Sequence, residues 1–390
     1  MTWEDRISPV VKAVPPSGIR RFFDIAAEMD DVVSLGVGEP DFVTPWTIRE
    51  SCVYSLEQGY TSYTANRGLP ELRQEIAEHY KARFNLSYDV KENILVTVGV
   101  SEALDIAMRA ILSPGDEILI PEPCYVSYKA CAALAGAVPV PVPAKIENDF
   151  RITPDDLQKH LTPQTKALLI GYPNNPTGAV MSRENLLAIA EFAKNNDLIV
   201  ISDEIYGDLT YGDTEHICFA SLPGMQERTI LLNGFSKAYA MTGWRIGYAL
   251  ANSAFIAAMT KIHQYTMLCA PITAQMAAVE ALRHGEKYMK NMVTEYDRRR
   301  RYIYDSFKKL GLECFEPKGA FYIFPSIRST GLTSEEFAEK LLLTEHVALV
   351  PGNAFGDCGE GYIRCSYATS LDKISEAMAR IGNFLKKYKK

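Results

Sequence analysis

Ser236 and Lys237 stand side by side, and Arg245 follows eight residues on. An amine that loses its proton on burial attacks carbonyl carbons. A guanidinium offers a fixed fork of donors to a phosphate. Other polar or aromatic residues recur just after apolar runs: Ser101, Tyr125, Asn175 and Asp203. Arg364 sits between Ile363 and Cys365, a charge inside an apolar run, which is uncommon and usually paired. On pattern alone the plainer readings stay open. Lys237 could be a surface lysine, Ser101 a helix cap, and Arg364 an outward residue of a half-exposed sheet.

The elements that must position these groups follow from periodicity. Apolar runs predict strands over 94–98, 117–120, 138–142, 166–170, 198–202, 228–232 and 245–250. Helical spacing is read over 69–80, 104–112, 125–134 and 184–193. Continuous apolar strands alternating with helices imply a mostly parallel sheet wrapped by helices. Ligands then gather beyond the carboxyl ends of the strands, where Tyr125, Asn175, Asp203 and Lys237 fall. Toward the C-terminus the pattern changes. Helices over 272–284, 287–310, 334–343 and 371–388 surround strands over 320–324 and 361–367, a smaller α+β layer. The expected organisation is an N-terminal segment 1–45 packing with the small domain, a large domain 46–286 and a small domain 287–390. A short helical run is read near 20–29. The stretch from Ser34 to Asp41 holds Gly36 and Gly38 but lacks a third glycine, and Pro40 blocks an immediate helix. It is therefore not a dinucleotide loop.

The 390 residues carry a net charge of −7, which argues against a nucleic-acid footprint. The basic runs 298–301 and 386–390 read as solvated faces. The eight cysteines show no metal or disulfide spacing and read as reduced thiols. No apolar run has membrane-spanning length, and Met1-Thr-Trp-Glu-Asp5 lacks the basic and apolar regions of a signal peptide. A cytoplasmic location, with no metal, nucleic-acid or membrane partner, is expected.

Taken in order, Tyr172-Pro-Asn-Asn-Pro-Thr-Gly178, Ser202-Asp-Glu-Ile-Tyr206 and Ser236-Lys237 through Gly243-Trp-Arg245 resemble the class I pyridoxal-phosphate-dependent aminotransferases of fold type I. The similarity runs from Ser34 to Tyr367. It implies that Lys237 holds pyridoxal 5'-phosphate covalently, that Asp203 pairs with the ring nitrogen, and that Tyr206 and Asn175 bond the ring's phenolic oxygen. Tyr125 would stack on the ring. The phosphate would sit against Ser101, neighbouring N–H groups including that of Glu102, Ser236, Arg245 and the partner subunit's Tyr63. Arg364 would grip the substrate α-carboxylate beside Gly38. The resemblance implies a homodimer with shared sites, moving the α-amino group of an L-amino acid (aspartate, aromatic or related) to a 2-oxo acid such as 2-oxoglutarate. One departure stands out: many relatives have serine where this chain has Gly234. That predicts weaker cofactor binding than in a Gly234→Ser variant.

Two alternatives remain at this stage. A β-elimination lyase on the same fold would use the same lysine. A cofactor-sensing DNA-binding regulator would need a basic arm that residues 1–45 do not supply. Substrate preference is not fixed by the motifs. Arg67, four residues after Tyr63, is a candidate for a distal carboxylate or else a plain loop arginine. Arg20 and Arg21 are weaker candidates for the same task.

Overall fold

The computed structural model describes residues 2–15, 25 and 29–388. Arg20, Arg21 and most of the helical run expected near 20–29 lie outside them. The strands, in chain order, are β1 Val33–Ser34, β2 Ile94–Thr97, β3 Glu117–Glu122, β4 Val138–Pro143, β5 Thr165–Ile170, β6 Ile199–Asp203, β7 Thr229–Gly234, β8 Gly247–Leu250, β9 Tyr322–Ile323, β10 Val347–Ala348, β11 Val350–Pro351 and β12 Ile363–Ser366.

Seven of these form one sheet in the order β2-β8-β7-β6-β5-β3-β4. The pairs β4/β3, β3/β5, β5/β6 and β6/β7 are parallel, and β8 runs antiparallel to both β7 and β2. This is the mostly parallel α/β sheet expected. Its middle strands are apolar on both faces because helices cover both; Leu168, Leu169, Val200, Ile201, Ile230 and Leu231 are all fully buried. β4 pairs only with β3. Its alternating prolines, Pro139, Pro141 and Pro143, are tolerable there because an edge strand has N–H positions that need no partner.

Around the sheet, Gly99–Ile111 buries Ala103, Leu104, Ala107, Met108 and Ile111 along one stripe. Two long helices do not follow from the sequence pattern, Trp46–Glu57 and Ser253–Thr266, and neither do the five-residue helices Pro9–Ala13 and Pro154–Gln158. The first leaves Trp46, Val53, Tyr54 and Leu56 exposed, so its apolar residues trace no single stripe. The second buries Ile256, Met259 and His263, and the histidine disguises the stripe.

β11, β12 and β9 form an antiparallel sheet, while β1 pairs in parallel with β10. Both share a core with the 24-residue helix Glu286–Lys309 through Tyr296, Ile303, Phe307, Phe321 and Tyr367. The basic run on that helix corrects the solvated-face reading. Arg299 and Arg300 are both buried. Arg299 pairs with Asp41 and Glu295, and Arg300 with Asp297 and Glu316. Buried guanidiniums need such partners.

Candidate active site

At the carboxyl ends of the parallel strands, and under the β9–β12 layer, lies a cleft of about 670 Å³. Lys237, Asp203, Tyr206, Asn175, Tyr125, Ser101, Ser236, Arg245, Arg364 and Gly38 all line it. Tyr63 does not. It is 83% exposed.

The loop after β7 carries Ser236, Lys237 and Arg245. Ala240 and Arg245 both adopt φ of +53°, the left-handed region that non-glycine residues avoid. The expected strand over 245–250 accordingly starts at Gly247 instead. Thr44 holds the loop from outside: its hydroxyl donates to the Ala240 carbonyl at 2.6 Å and accepts from Trp244 Nε1 at 2.9 Å. Lys237 Nζ donates to the Gly38 carbonyl at 2.7 Å. Burial lowers the Lys237 amine to about 8; Glu39 opposes that shift and the charges of Arg364 and Arg245 add to it. An amine that loses its proton this readily, held on a rigid mount, is a usable nucleophile.

Asp203 ends β6. Burial raises its carboxyl to about 6, against the hydrogen bonds from Tyr128 Oη at 2.9 Å and the Ile205 N–H at 3.2 Å. The site thus carries a carboxylate whose charge wants a cationic partner. Tyr206 shares a 2.8 Å hydroxyl–hydroxyl bond with Tyr322.

Arg364 on β12 is 3% exposed. Its Nη1 donates to Asn175 Oδ1 at 3.1 Å and its Nη2 to the Gly36 carbonyl at 2.5 Å. The rings of Tyr322 and Phe355 lie 4.5 and 4.9 Å from the guanidinium carbon. Its Nε is buried with no hydrogen-bond partner among the described residues, and the residue lines the cleft. A buried cation on a cleft wall fits an anionic ligand.

At the opposite end, Gly99 (φ +76°) opens the helix Gly99–Ile111, and a Cβ there would lie 2.5 Å from Arg245 Nη2. The glycine therefore lets the guanidinium approach the helix start, whose free N–H groups and dipole favour an anion. Ser101 is in the first turn, not at the cap; the cap position is Val98. The cap reading of Ser101 is thereby corrected. Ser101 is exposed and faces the cleft.

Two sequence expectations change, those on Arg67 and Gly234. Glu102, expected to offer its N–H, turns its carboxylate away from the cleft, toward the Val98 N–H and His263. Arg67 is engaged by the Lys91 carbonyl and by Glu92 at 3.1 Å, in the segment that follows the helix Pro70–Phe84. Gly234 is packed so closely that a Cβ would meet Gly247 Cα at 2.9 Å and the Ile246 carbonyl at 3.0 Å. A serine does not fit there without backbone movement. Tyr322, Tyr128 and Glu39 line the cleft without having been singled out. Tyr322 follows Phe321 in an apolar run, and nothing in that run marks its hydroxyl as facing a site. Among the described residues no cluster of His, Cys, Asp or Glu could hold a metal.

Fold and cleft together are those of an α/β enzyme with anion-binding groups at both ends of a lysine-bearing pocket. Residues 30–381 match the family model "Aminotransferase class I and II". The Bacillus subtilis protein YugH is 55% identical over 98% of both chains. An aspartate aminotransferase of Pyrococcus abyssi is 49% identical over the full length of both. The crystal structure of an aromatic aminotransferase from Pyrococcus horikoshii OT3 superposes with a TM-score of 0.90 at 46% identity, covering 95% of this chain and 99% of the other. The chain belongs to the class I and II aminotransferases and is an amino-acid aminotransferase.

Proposed function

We propose that the protein uses pyridoxal 5'-phosphate to move the α-amino group of an L-amino acid, aspartate or aromatic, to 2-oxoglutarate or a similar 2-oxo acid. One observation carries this reading: the part-buried amine of Lys237 stands between a carboxylate at Asp203, a cationic helix start at Arg245 and a second, buried guanidinium at Arg364. Lys237 would hold the aldehyde, and Arg245, Ser236, Ser101 and the N–H groups of the first turn, that of Glu102 included, would hold the phosphate. Asp203 would pair with the ring nitrogen, Tyr125 would cover the ring face, and Tyr206 and Asn175 would bond the phenolic oxygen.

When bound, the cofactor supplies an electron sink for the charge left at the substrate Cα. The protein supplies the rest. Arg364, held rigid by Asn175 and Gly36, fixes the α-carboxylate, with the Gly38 backbone beside it. Lys237 Nζ would be the base that carries the Cα proton. Asp203 keeps the ring nitrogen protonated. The aspartate and aromatic donors are suggested by the names of the Pyrococcus relatives.

The working unit is a homodimer in which the partner subunit's Tyr63 completes the phosphate site. The exposure of Tyr63, together with exposed Trp46, Tyr54 and Tyr265, supports it. A reducing, cytoplasmic setting is supported by eight free cysteines; no helix among the described residues is long and apolar enough to cross a membrane.

The test is direct. The purified protein is titrated with pyridoxal phosphate, and then challenged with a panel of L-amino acids and 2-oxoglutarate while the cofactor absorbance is followed. A protein that stays colourless, or a Lys237→Ala variant with full activity, overturns the reading.

A further inference from the structure

His263 is fully buried on the helix Ser253–Thr266, behind the cleft wall, and does not line the cleft. Its Nδ1 lies 2.5 Å from Glu102 Oε1, and the other carboxylate oxygen accepts the Val98 N–H at 2.5 Å. Since a carboxylate accepts, Nδ1 is the donor. Val98 is the cap residue of Gly99–Ile111 and has no side chain able to cap it. Glu102 supplies a different restraint from inside the helix, reaching back to accept the N–H of the cap residue. Glu102 in turn is held by one imidazole N–H from another helix.

We propose that His263 and Glu102 form a buried brace whose task is to fix the first turn of Gly99–Ile111 as the seat of the cofactor phosphate. His263 is a positioning residue, acting through Glu102. The proposal rests on the phosphate reading of the cleft given above.

Several packing facts make this turn depend on its brace. Gly99 has positive φ and lies against Arg245, and Gly247 packs so tightly that a Cβ would come within 2.7 Å of the Val100 nitrogen. The Gly99 carbonyl also accepts from Thr97 Oγ1 at 3.0 Å. The N–H groups at this start must point together for an anion to use them. A turn free to shift by even a fraction of an ångström would spread them. The second ring nitrogen, Nε2, has no hydrogen-bond partner among the described residues. All that His263 contributes by hydrogen bonding therefore passes through Nδ1.

That asymmetry gives the test. Asparagine places its amide nitrogen near the position of Nδ1, whereas glutamine reaches toward that of Nε2. Dissociation constants of the apoprotein variants are measured for pyridoxal phosphate and for pyridoxal, which lacks the phosphate, and inorganic phosphate is used as a competitor. Wild type is expected to bind pyridoxal phosphate much more tightly than pyridoxal. His263→Leu and His263→Gln should weaken pyridoxal phosphate and inorganic phosphate on the order of tenfold or more, leaving pyridoxal within about twofold. His263→Asn should restore most of the loss. Equal weakening of both ligands, or an asparagine variant no better than the glutamine one, overturns the brace. A wild type that does not distinguish pyridoxal phosphate from pyridoxal overturns the phosphate reading itself. Should His263→Leu fail to fold, the asparagine and glutamine pair decides alone.

Discussion

Arg364 and Asn175 are 189 positions apart in the chain, yet Arg364 Nη1 donates to Asn175 Oδ1 at 3.1 Å. The bond joins the small β9–β12 layer to the turn after β5, so the guanidinium is aimed from both sides of the cleft. Arg364→Lys keeps the charge but loses the planar fork and the contact with the Tyr322 ring. The KM for amino donors should rise ten- to a hundredfold, from loss of a charged hydrogen bond worth roughly 1.5–3 kcal/mol. Cofactor affinity should be unchanged. Steady-state kinetics beside a cofactor titration check both halves.

The proton state of Lys237 sets when the apoprotein can capture its cofactor. With the amine lowered to about 8, its neutral fraction falls tenfold for each pH unit below that value. The rate constant for forming the coloured complex should therefore rise about tenfold between pH 6 and 7 and level off above 8. Stopped-flow absorbance across pH 6–10 measures it. A rise that continues to pH 10 would mean an ordinary, solvated lysine.

Asp203 makes the opposite kind of statement about stability. Its carboxyl is raised to about 6 from an ordinary 3.8, chiefly by burial. The folded state thus binds the proton more tightly than the unfolded chain. The associated stability is full below the unfolded value and is lost as pH rises through 6. At pH 8 the apoprotein carries the whole cost of an unpaired buried anion. Asp203→Asn should accordingly make the apoprotein more stable at pH 8, by about 1–3 kcal/mol, with the gain fading toward pH 4. The same change should weaken cofactor binding and slow turnover on the order of a hundredfold or more, since it removes the partner of the ring nitrogen. Denaturant unfolding of both apoproteins at pH 4, 6 and 8 gives the comparison.

Much of this site could be read before any coordinates. Asn175, Asp203 and Lys237 each follow a buried strand, and a parallel sheet collects whatever follows its strands at one rim. What escaped was set by contacts between distant parts of the chain. Thr44 and Trp244 look like ordinary loop residues until their bond shows what holds the 236–245 loop. His263 sits in a helix whose stripe it interrupts. Arg299 and Arg300 read as a solvated run because their acids, Asp41 and Glu316, are remote or lie in another element. Local pattern reports a residue's own exposure poorly when a distant partner decides it.

Gly234 is the place where pattern and packing disagree. By the family resemblance of the motif, a serine here is expected to add a hydroxyl to the phosphate site and tighten binding. In the sheet, however, Gly234 pairs directly with Gly247 across β7 and β8. Its missing Cβ leaves room for Gly247 Cα, the Ile246 carbonyl and Val100 Cγ2, which would be 2.9, 3.0 and 3.1 Å away. Two of those three atoms belong to backbone and cannot swing aside. The strands would have to separate, and Val100 would be pushed within the first turn that seats the phosphate. Gly234→Ser should therefore destabilise the apoprotein by about 1–3 kcal/mol, the usual cost of overpacking. It should also weaken pyridoxal phosphate binding. Tighter binding at unchanged unfolding midpoint would show that β7 and β8 yield more easily than their close contact implies. A Gly234→Ala variant separates the two effects, because it adds the Cβ without the hydroxyl. If packing governs, alanine and serine lose cofactor affinity alike.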